Sequence, residues 1–269
     1  MNDAIAEGEG TVALDIEPRE GGAVARVVID NPAKLNIMTP AMCEHFVTRM
    51  HEAATARDVR AIVLTGAGER AFIGGADISA MAEFDCASAR TFITALHAVC
   101  ASIREVEVPV IARIDGFCLG GGMEIAAACD MRAATERSLF GMPEVRVGIP
   151  SVIEAALLPG LIGWGKTCEL LFTGATVKAP EARAMGYLQS LSPDVGELDG
   201  AVDRWLSGII ASGPRAVALQ KQLMRRWEKS TMDQAIAAGI DSFVSAYETD
   251  EPNRMMHAFQ QRQLARRPR

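Results

Sequence analysis

A run of three glycines followed by a glutamate is the part of this sequence best suited to chemistry. Residues Asp115–Glu124 read DGFCLGGGME and follow the apolar run VPVIARI, which predicts a strand. Glycines let the backbone approach a ligand closely, and the helix expected after them aims free N–H groups and its positive dipole end at that ligand. Such N–H groups can stabilise an oxyanion. The same glycines also fit a tight strand-to-helix turn without a ligand, and the turn alone leaves both interpretations open.

A second glycine motif, Gly160–Thr167, reads GLIGWGKT and matches the phosphate-binding pattern G-x-x-x-x-G-K-[ST]. That pattern holds phosphates only where a buried strand precedes it and a helix follows. The preceding residues VIEAALLP have helical spacing instead, and Leu161 and Trp164 are bulky for a loop that wraps a phosphate. We therefore expect a helix–helix turn in which Lys166 and Thr167 open the next helix.

A third motif, GAGERA at Gly66–Ala71, resembles the dinucleotide pattern G-x-G-x-x-A. A dinucleotide site needs a helix directly afterwards and an acidic residue ~20 positions further on. Here FIGGAD follows, with another pair of glycines. The sequence does not favour a dinucleotide at this position.

Alternating strand and helix patterns surround these motifs, as is typical of right-handed crossover units. Apolar or β-rich runs predict strands at Val24–Asp30, Ala61–Leu64, Val110–Ile114 and Met131–Ala134. Helical spacing and capping signals predict helices from Pro40, capped by Thr39, at Ser88–Val106, near Met123–Ala128, at Ser151–Leu158, and at Lys166–Leu171 with an end at Gly174.

The last part of the chain has a different pattern. From Val202 onward it is nearly all helical, with breaks at Gly213-Pro214 and Glu251-Pro252. The predicted fold is therefore an α/β body to about residue 200 and a helical C-terminal part. The helix predicted at Ser151 has a capping box, with Ser151 as the N-cap and Glu154 three residues later.

Charge and composition exclude several classes of protein. The 269 residues carry 27 Lys+Arg and 34 Asp+Glu, a net charge of −7, whereas a general nucleic-acid binder needs a basic face. No apolar run approaches the ~18 residues of a membrane helix, and the acidic start MNDAIAEGEG lacks the hydrophobic run of a signal peptide. The six cysteines form no C-x-x-C pair and most lie in apolar stretches. We expect buried free thiols, a cytoplasmic location, and neither membrane nor nucleic acid as a partner.

Taken together, three segments resemble the enoyl-CoA hydratase/isomerase family, the crotonases. They are TGAGERAFIGGADI at 65–78, PVIARIDGFCLGGGMEIAAACDMRAA at 109–134 and FGMPEVRVGIP at 140–150. The resemblance implies a spiral of ββα units whose two sheets pack face to face, and a helical C-terminal region that forms trimers, often paired into hexamers. On this basis residues 1–200 are expected to form the acyl-CoA-binding, catalytic core and residues 201–269 the trimerisation region.

The resemblance also implies a reaction and its residues. The family binds acyl-CoA thioesters and holds the thioester oxygen between two backbone N–H groups, which by motif position are those of Ala76 and Gly121. Glu124 would orient and deprotonate a water molecule, and Glu144 would protonate the α-carbon. The residues expected to bind substrate are Ala76, Asp77, Ile78, Gly120, Gly121, Lys34 and Ser151. No metal or separate cofactor is expected, since coenzyme A is part of the substrate.

The sequence departs from the family pattern in three places. After Pro150 a glycine-rich stretch is replaced by SVIEAALLPGL, so Ser151 stands where a glycine is usual and Glu154 adds a third carboxylate. For Glu154 the S-x-x-E spacing favours a capping role over a substrate-facing one. Ser79 stands where a lysine is usual, and Arg262 is kept but has glutamine neighbours. The sequence therefore leaves open which cations meet the CoA phosphates, and Lys34 is one candidate.

Hydration of a 2-enoyl-CoA is the leading hypothesis, because Glu124 and Glu144 can share acid and base roles. Isomerisation, or a specialised dehydration or hydrolysis of an acyl-CoA, remains the alternative within the family. A nucleotide hydrolase built on Gly160–Thr167 and a non-catalytic CoA-binding protein are the remaining alternatives.

Overall fold

The computed structural model describes residues 10–265. The acidic start of the chain, except Gly10, and the last four residues lie outside these bounds. The predicted core, residues 1–200, and the predicted trimerisation region, residues 201–269, are therefore each described only in part. Ten strands are described: β1 Thr11–Arg19, β2 Gly22–Asp30, β3 Val59–Gly66, β4 Ala71–Ile73, β5 Val110–Ile114, β6 Phe117–Leu119, β7 Met131–Thr135, β8 Leu139–Gly141, β9 Thr176–Lys178 and β10 Ser190–Ser192.

Eleven α-helices lie between and after these strands in the described part of the chain. They are α1 Pro40–Thr55, α2 Ile78–Met81, α3 Cys86–Glu105, α4 Gly121–Ala128, α5 Leu158–Ile162, α6 Trp164–Thr173, α7 Ala179–Ala184, α8 Val195–Ala211, α9 Pro214–Trp227, α10 Met232–Ala246 and α11 Glu251–Ala265. Short 3-10 helices occur at Pro32–Lys34, Glu144–Val147 and Ile153–Leu157.

The strands form two sheets with matching topology. The six-stranded sheet has the order β1-β2-β3-β5-β7-β10, and the four-stranded sheet has the order β4-β6-β8-β9. The pairs β1–β2 and β8–β9 are antiparallel, and all other pairs are parallel. Each turn of the chain places one strand in each sheet: β3 then β4, β5 then β6, β7 then β8. After β4 and after β6 a helix completes the unit, so the expected spiral of ββα units is confirmed.

Alternation along the strands determines what each sheet face buries. In β3, Ile62 and Leu64 face the main core, which the four-stranded sheet also enters through Phe72 and Phe140. The intervening Ala61 and Val63 face a second, smaller core, closed by Leu198, Val202 and Leu206 of α8. Successive side chains of a strand point to opposite faces, so a period of two divides them between the two cores. Helix α8 crosses the predicted boundary at residue 200, and the division of the chain at that point stays a prediction.

Several sequence predictions match the observed elements. The side chain of Thr39 accepts a hydrogen bond from the backbone N–H of Met42 with Pro40 at the first helical position, and Gly174 ends α6 in a left-handed conformation. The all-helical C-terminal part is confirmed, although its second break, around Glu228–Thr231, was not predicted. The sequence pattern also does not predict β1, β4, β6, β8, β9 and β10, of which the last five have only three residues each.

Two expectations from composition need correction. By length and composition alone, helix α3 is long and apolar enough to cross a membrane, so the expectation that no segment approaches this length is wrong. One face of α3, including Phe92, Leu96 and Ile103, is buried in the protein core. All six cysteines are free, but Cys86 is exposed and Cys168 is partly exposed, so only four are buried.

A buried arginine anchors the helix that follows the glycine run. Arg132 is 3% exposed, and its guanidinium group donates to the carbonyl oxygens of Ala126, Cys129 and Tyr187. The Tyr187 hydroxyl in turn donates to the carbonyl oxygen of Met123 at 2.6 Å. These bonds satisfy carbonyl groups at the end of α4, where a cation also complements the helix dipole. Helix α4 is therefore held at its C-terminal end by groups outside the candidate site.

Candidate active site

Three loops meet at one edge of the four-stranded sheet. Strands β4, β6 and β8 are parallel neighbours, so their carboxyl ends lie on the same side. Ala76 comes three residues after β4, Gly121 two residues after β6, and Glu144 three residues after β8. The sheet thus brings together three segments that are far apart in the sequence. Sites in α/β proteins commonly lie beyond the carboxyl ends of parallel strands.

The glycine run makes a turn that other residues could not make. Gly120 has φ +53° and precedes α4, and a Cβ at this position would lie 2.6 Å from Oε1 of Glu144. A Cβ on Gly122 would lie 2.3 Å from the carbonyl oxygen of Ile73 in β4. A side chain at Gly122 would meet backbone, and one at Gly120 would displace the carboxyl group of Glu144. The run therefore lets α4 begin directly against β4 and beside Glu144.

The two backbone groups expected to hold the thioester oxygen are Ala76 and Gly121. Ala76 forms an isolated bridge with Met38, in which the N–H of Met38 donates to the carbonyl oxygen of Gly75 at 2.9 Å. Gly121 is the first residue of α4, where helical N–H groups have no partner within the helix. Within residues 10–265, neither the N–H of Ala76 nor that of Gly121 donates to a protein acceptor. Both donors are therefore free for a ligand, as an oxyanion hole requires.

Glu124 is a carboxyl group buried in the first turn of α4. It is 3% exposed, and its Oε1 accepts a hydrogen bond of 3.1 Å from the backbone N–H of Ala155. Burial, and then the charge of Glu144, raise the pKa of Glu124 to about 8, against the hydrogen bond from Ala155, which lowers it. A carboxyl group with such a pKa can exchange a proton near neutral pH.

Glu144 opens the 3-10 helix Glu144–Val147 and is half-buried. The hydroxyl group of Ser151 donates to its Oε2 at 2.8 Å, and its Oε1 lies against Gly120. Burial raises the pKa of Glu144, although hydrogen bonds from its own backbone N–H and from the Ser151 hydroxyl act in the opposite direction. The structure therefore places the two predicted acid–base residues close enough for the charge of one to change the pKa of the other.

The segment after Pro150 does not form the predicted capped helix. Residues Ile153–Leu157 form a 3-10 helix preceded by Val152, without a side-chain cap. The capping-box prediction is wrong because the hydroxyl group of Ser151 bonds to Glu144 instead of the backbone N–H of Glu154. Short serine side chains bond whichever nearby group the tertiary structure presents, so the spacing alone was insufficient.

Glu154 has a partner that the sequence did not suggest. Its side chain is 10% exposed, and its carboxylate lies 3.1 Å from Nδ1 of His97 in α3. The capping role expected for Glu154 is therefore wrong. The charge of Glu154 also contributes to the raised pKa of Glu124. No signal links His97 to Glu154 in the sequence, because the two residues are 57 positions apart.

The other predicted substrate-binding residues lie in or next to the loop that carries Ala76. Asp77 caps α2 by accepting from the N–H groups of Ser79 and Ala80, and Ile78 is 60% exposed. Lys34 is exposed and ends the 3-10 helix Pro32–Lys34. The carbonyl oxygen of the next residue, Leu35, accepts a hydrogen bond from the N–H of Gly74, which lies two residues before Ala76. The substrate-binding roles of these residues stay predictions.

The remaining glycine motifs have structural roles. Gly160–Thr167 spans the end of α5 and the start of α6, and Lys166 forms ion pairs with Glu169 and Glu181. The 3-10 helix Ile153–Leu157 and α5, and not a strand, lie directly before this turn, so the predicted helix–helix turn is confirmed. At the third motif, Gly66–Ala71, strand β4 begins at Ala71, where a dinucleotide site would have a helix.

Comparisons with known proteins agree with this arrangement. The model of the family described as "Enoyl-CoA hydratase/isomerase" matches residues 19–266. A short-chain-enoyl-CoA hydratase of Clostridium acetobutylicum is 34% identical over 96% of this chain and 95% of its own length. A crotonyl-CoA hydratase of Syntrophomonas wolfei is 31% identical over 90% of this chain and 93% of its own length.

Solved structures give the same result. An enoyl-CoA hydratase from Bacillus anthracis superposes with a TM-score of 0.87 at 26% identity and covers 93% of this chain and 96% of its own. An enoyl-CoA hydratase from Mycobacterium smegmatis also gives 0.87 at 26% identity, over 96% of this chain and 98% of its own. The family match, the relatives and the loops at one sheet edge agree: the chain belongs to the enoyl-CoA hydratase/isomerase family and has the crotonase fold.

Proposed function

We propose that the chain is an enoyl-CoA hydratase, a lyase that adds water across the C2=C3 bond of a 2-enoyl-CoA thioester. The observation that carries this proposal is the pair of carboxyl groups, Glu124 and Glu144, beside two free backbone N–H groups, with both pKa values raised. The names of the two relatives, a short-chain-enoyl-CoA hydratase and a crotonyl-CoA hydratase, favour a short acyl chain.

Each group has one task in the proposed reaction. The N–H groups of Ala76 and Gly121 hold the thioester oxygen and stabilise the enolate that forms when charge moves onto it. Glu124 accepts a proton from the water molecule whose oxygen bonds to C3, and Glu144 gives its proton to C2. The pair therefore begins and ends the step with one proton, and the atoms of one water molecule are added to the substrate.

The position of that proton changes during the reaction. Glu144 must carry it before hydration, and Glu124 carries it afterwards. Burial raises the pKa of both carboxyl groups, which favours retention of a proton by the pair. The reverse reaction, dehydration of a 3-hydroxyacyl-CoA, begins with the proton on Glu124. Between hydrations the proton must return to Glu144.

An absorbance assay at the enoyl thioester band tests the proposal, with crotonyl-CoA first and longer or branched 2-enoyl-CoAs next. Glu124→Gln and Glu144→Gln should each lower kcat by at least ~100-fold with a smaller change in KM, since general acid or base catalysis contributes about 10²–10⁴-fold. Glu197→Gln, at an exposed position in α8, is the matched control and should keep wild-type activity.

The outcomes separate the alternatives within the family. Wild-type protein that hydrates no enoyl thioester contradicts the proposal. Conversion of a 3-enoyl-CoA into a 2-enoyl-CoA without hydration would indicate an isomerase, and release of free coenzyme A would indicate a hydrolase. Activity within a few-fold of wild type in either glutamine variant would reject the role assigned to that residue.

Substrate binding is part of the same proposal. Coenzyme A enters as part of the substrate, and the proposed steps need only backbone N–H groups and carboxyl groups, so no separate cofactor is required. Within residues 10–265 the ammonium group of Lys34 forms no ion pair, and its neighbour Leu35 contacts the loop that carries Ala76. We assign Lys34 to the CoA phosphates. Lys34→Ala should raise KM several-fold while kcat stays near the wild-type value.

The proposal extends to assembly and location: a homotrimer or a hexamer of paired trimers, in the cytoplasm. Support for the oligomer comes from α10, where Ile236, Ile240 and Phe243 are 57%, 63% and 66% exposed at helical spacing. Large exposed apolar surfaces of this kind mark protein–protein contacts. Light scattering should give a mass of three or six times 28.7 kDa. A monomer at micromolar concentration would contradict the expected assembly.

A further inference from the structure

One short segment contacts both carboxyl groups of the proposed acid–base pair. We call residues Ser151–Ala155 the clamp segment. At its start the Ser151 hydroxyl donates to Oε2 of Glu144 at 2.8 Å, and at its end the backbone N–H of Ala155 donates to Oε1 of Glu124 at 3.1 Å. The two donors are four residues apart, so the conformation of this segment fixes both carboxyl groups at once.

The backbone of the clamp segment is unusual at its midpoint. Ile153 has φ +39°, in the left-handed region that β-branched residues rarely adopt. Such conformations persist where the surrounding structure requires them, and they cluster at functional sites. Here the turn at Ile153 lies between Ser151 and Ala155, so it directs the two donors toward two different glutamates.

The two oxygens of Glu144 have different surroundings. Oε2 accepts the hydrogen of the Ser151 hydroxyl group. Oε1 lies at the glycine turn, 2.6 Å from where a Cβ of Gly120 would be. An oxygen that accepts the hydroxyl hydrogen is disfavoured as the site of the acid proton, because two hydrogens would then face each other. The acid proton of Glu144 is thereby directed to Oε1, the oxygen that lies against Gly120, the residue before Gly121.

We propose that Ser151 is a positioning residue that keeps the transferable proton of Glu144 on Oε1, facing the α-carbon of the bound thioester. This inference rests on the proposed hydratase function and deepens it, since it assigns a role to the residue that departs from the family's usual glycine. Ser151 acts on the reaction through Glu144 and takes no proton itself. The bond also opposes the rise in the pKa of Glu144 that burial causes.

Three substitutions test the inference on the full chain with crotonyl-CoA. Ser151→Ala removes the hydroxyl group, Ser151→Thr keeps it, and Ser207→Ala removes a hydroxyl group of α8 that bonds only to the Asp203 carbonyl oxygen. A hydrogen bond to an ionisable group is lost in the first variant, so kcat should fall about 10- to 100-fold with KM within about twofold. Ser151→Thr should recover most of this loss, and Ser207→Ala should match wild type.

The pH profile distinguishes positioning from a merely structural contact. Loss of the Ser151 bond raises the pKa of Glu144, so the acid limb of kcat/KM should move to higher pH in Ser151→Ala and return in Ser151→Thr. The solvent deuterium isotope effect on kcat should also increase, because proton transfer to C2 becomes slower. If Ser151→Ala does not fold, Ser151→Cys, which keeps the size of the side chain but donates weakly, takes its place with the same expectations.

Failure of this inference is separable from failure of the proposed function. If wild-type protein hydrates crotonyl-CoA and Glu144→Gln abolishes this, but a folded Ser151→Ala keeps kcat within about twofold and an unchanged acid limb, the inference is wrong and the hydratase stands. A change in KM alone, or an equal loss of kcat in Ser151→Thr, would also overturn it. If wild-type protein hydrates no thioester, the proposed function itself fails.

Discussion

Replacing Gly120 by alanine should inactivate the protein while leaving it folded. A Cβ at this position lies 2.6 Å from Oε1 of Glu144, whereas ordinary contact begins at 3.4 Å. The carboxyl group must therefore move by about 0.8 Å, and displacements of about 1 Å at a reacting group can cost ~100-fold in rate. We expect a loss of this order in kcat/KM for hydration of crotonyl-CoA, measured at the enoyl thioester band.

The strain of alanine at a positive φ needs its own control, which Gly163 provides. Gly163 has φ +77° between α5 and α6, and a Cβ there would meet no atom within 4 Å. Both glycines combine a positive φ with a ψ outside the left-handed helical region, −125° at Gly120 and 158° at Gly163. An L-residue in such a sparsely populated conformation costs roughly 1–3 kcal/mol, so both variants should unfold a few degrees below wild type. Only Gly120→Ala should lose activity, since only its Cβ reaches a proposed catalytic group.

The comparison of the two variants can refute the steric argument. A Gly120→Ala protein that melts like Gly163→Ala and keeps kcat/KM within about threefold of wild type would show that Glu144 tolerates displacement. An equal loss of activity in both variants would show that backbone strain, and not contact with Glu144, is the cause. Either result would mean that the glycine at the start of the run is not required by its contact with Glu144.

The acid–base pair and the misleading phosphate motif lead to three further predictions. The pH profile of kcat/KM should be bell-shaped because only the singly protonated pair is active. Above a pH of about 8, the pKa of Glu124, the pair keeps no proton for C2. Glu124→Gln should lose most activity, and its residual activity should lack the acid limb, because only Glu144 then titrates. Glu154→Gln removes a charge that raises the pKa of Glu124, so the basic limb of the kcat/KM profile should move to lower pH in this variant. An unchanged basic limb would contradict the electrostatic coupling between Glu154 and Glu124. Lys166→Ala should keep hydratase activity, because Lys166 pairs only with Glu169 and Glu181 in the described chain; an ATP hydrolysis that this substitution abolishes would revive the nucleotide interpretation.

The sequence predicted those parts of the fold that depend on local pattern. Buried strands such as Val110–Ile114 are long enough for their apolar runs to stand out, and the cap at Thr39 depends on residues within three positions. The strands of the second sheet have three residues each, too few to show a period of two. Their pairing comes from tertiary contacts, so they could not be predicted from local pattern.

The candidate site divides in the same way. Glu124 and Glu144 were predicted from motif position, and the structure brings both to the glycine turn. Ser151 and Glu154 were assigned to a capping box, because the spacing S-x-x-E fits one. Their actual partners are Glu144 and His97, and the partner of Glu154 lies on a helix 57 positions earlier. Spacing describes only local bonds, whereas these two bonds depend on how distant elements pack.

The same packing that builds the site also determines its chemistry. Parallel neighbours β4, β6 and β8 end at one edge, so the two free N–H groups and Glu144 must converge wherever this sheet forms. Burying Glu124 in the first turn of α4 desolvates its carboxylate, and the nearby Glu144 adds repulsion, so one proton is retained by the pair near neutral pH. An acid and a base are then available together without a histidine or a metal in the proposed steps. Any substitution that opened this edge to water would lower the pKa of Glu124 and make it a weaker base, and water would compete for the free N–H groups of Ala76 and Gly121.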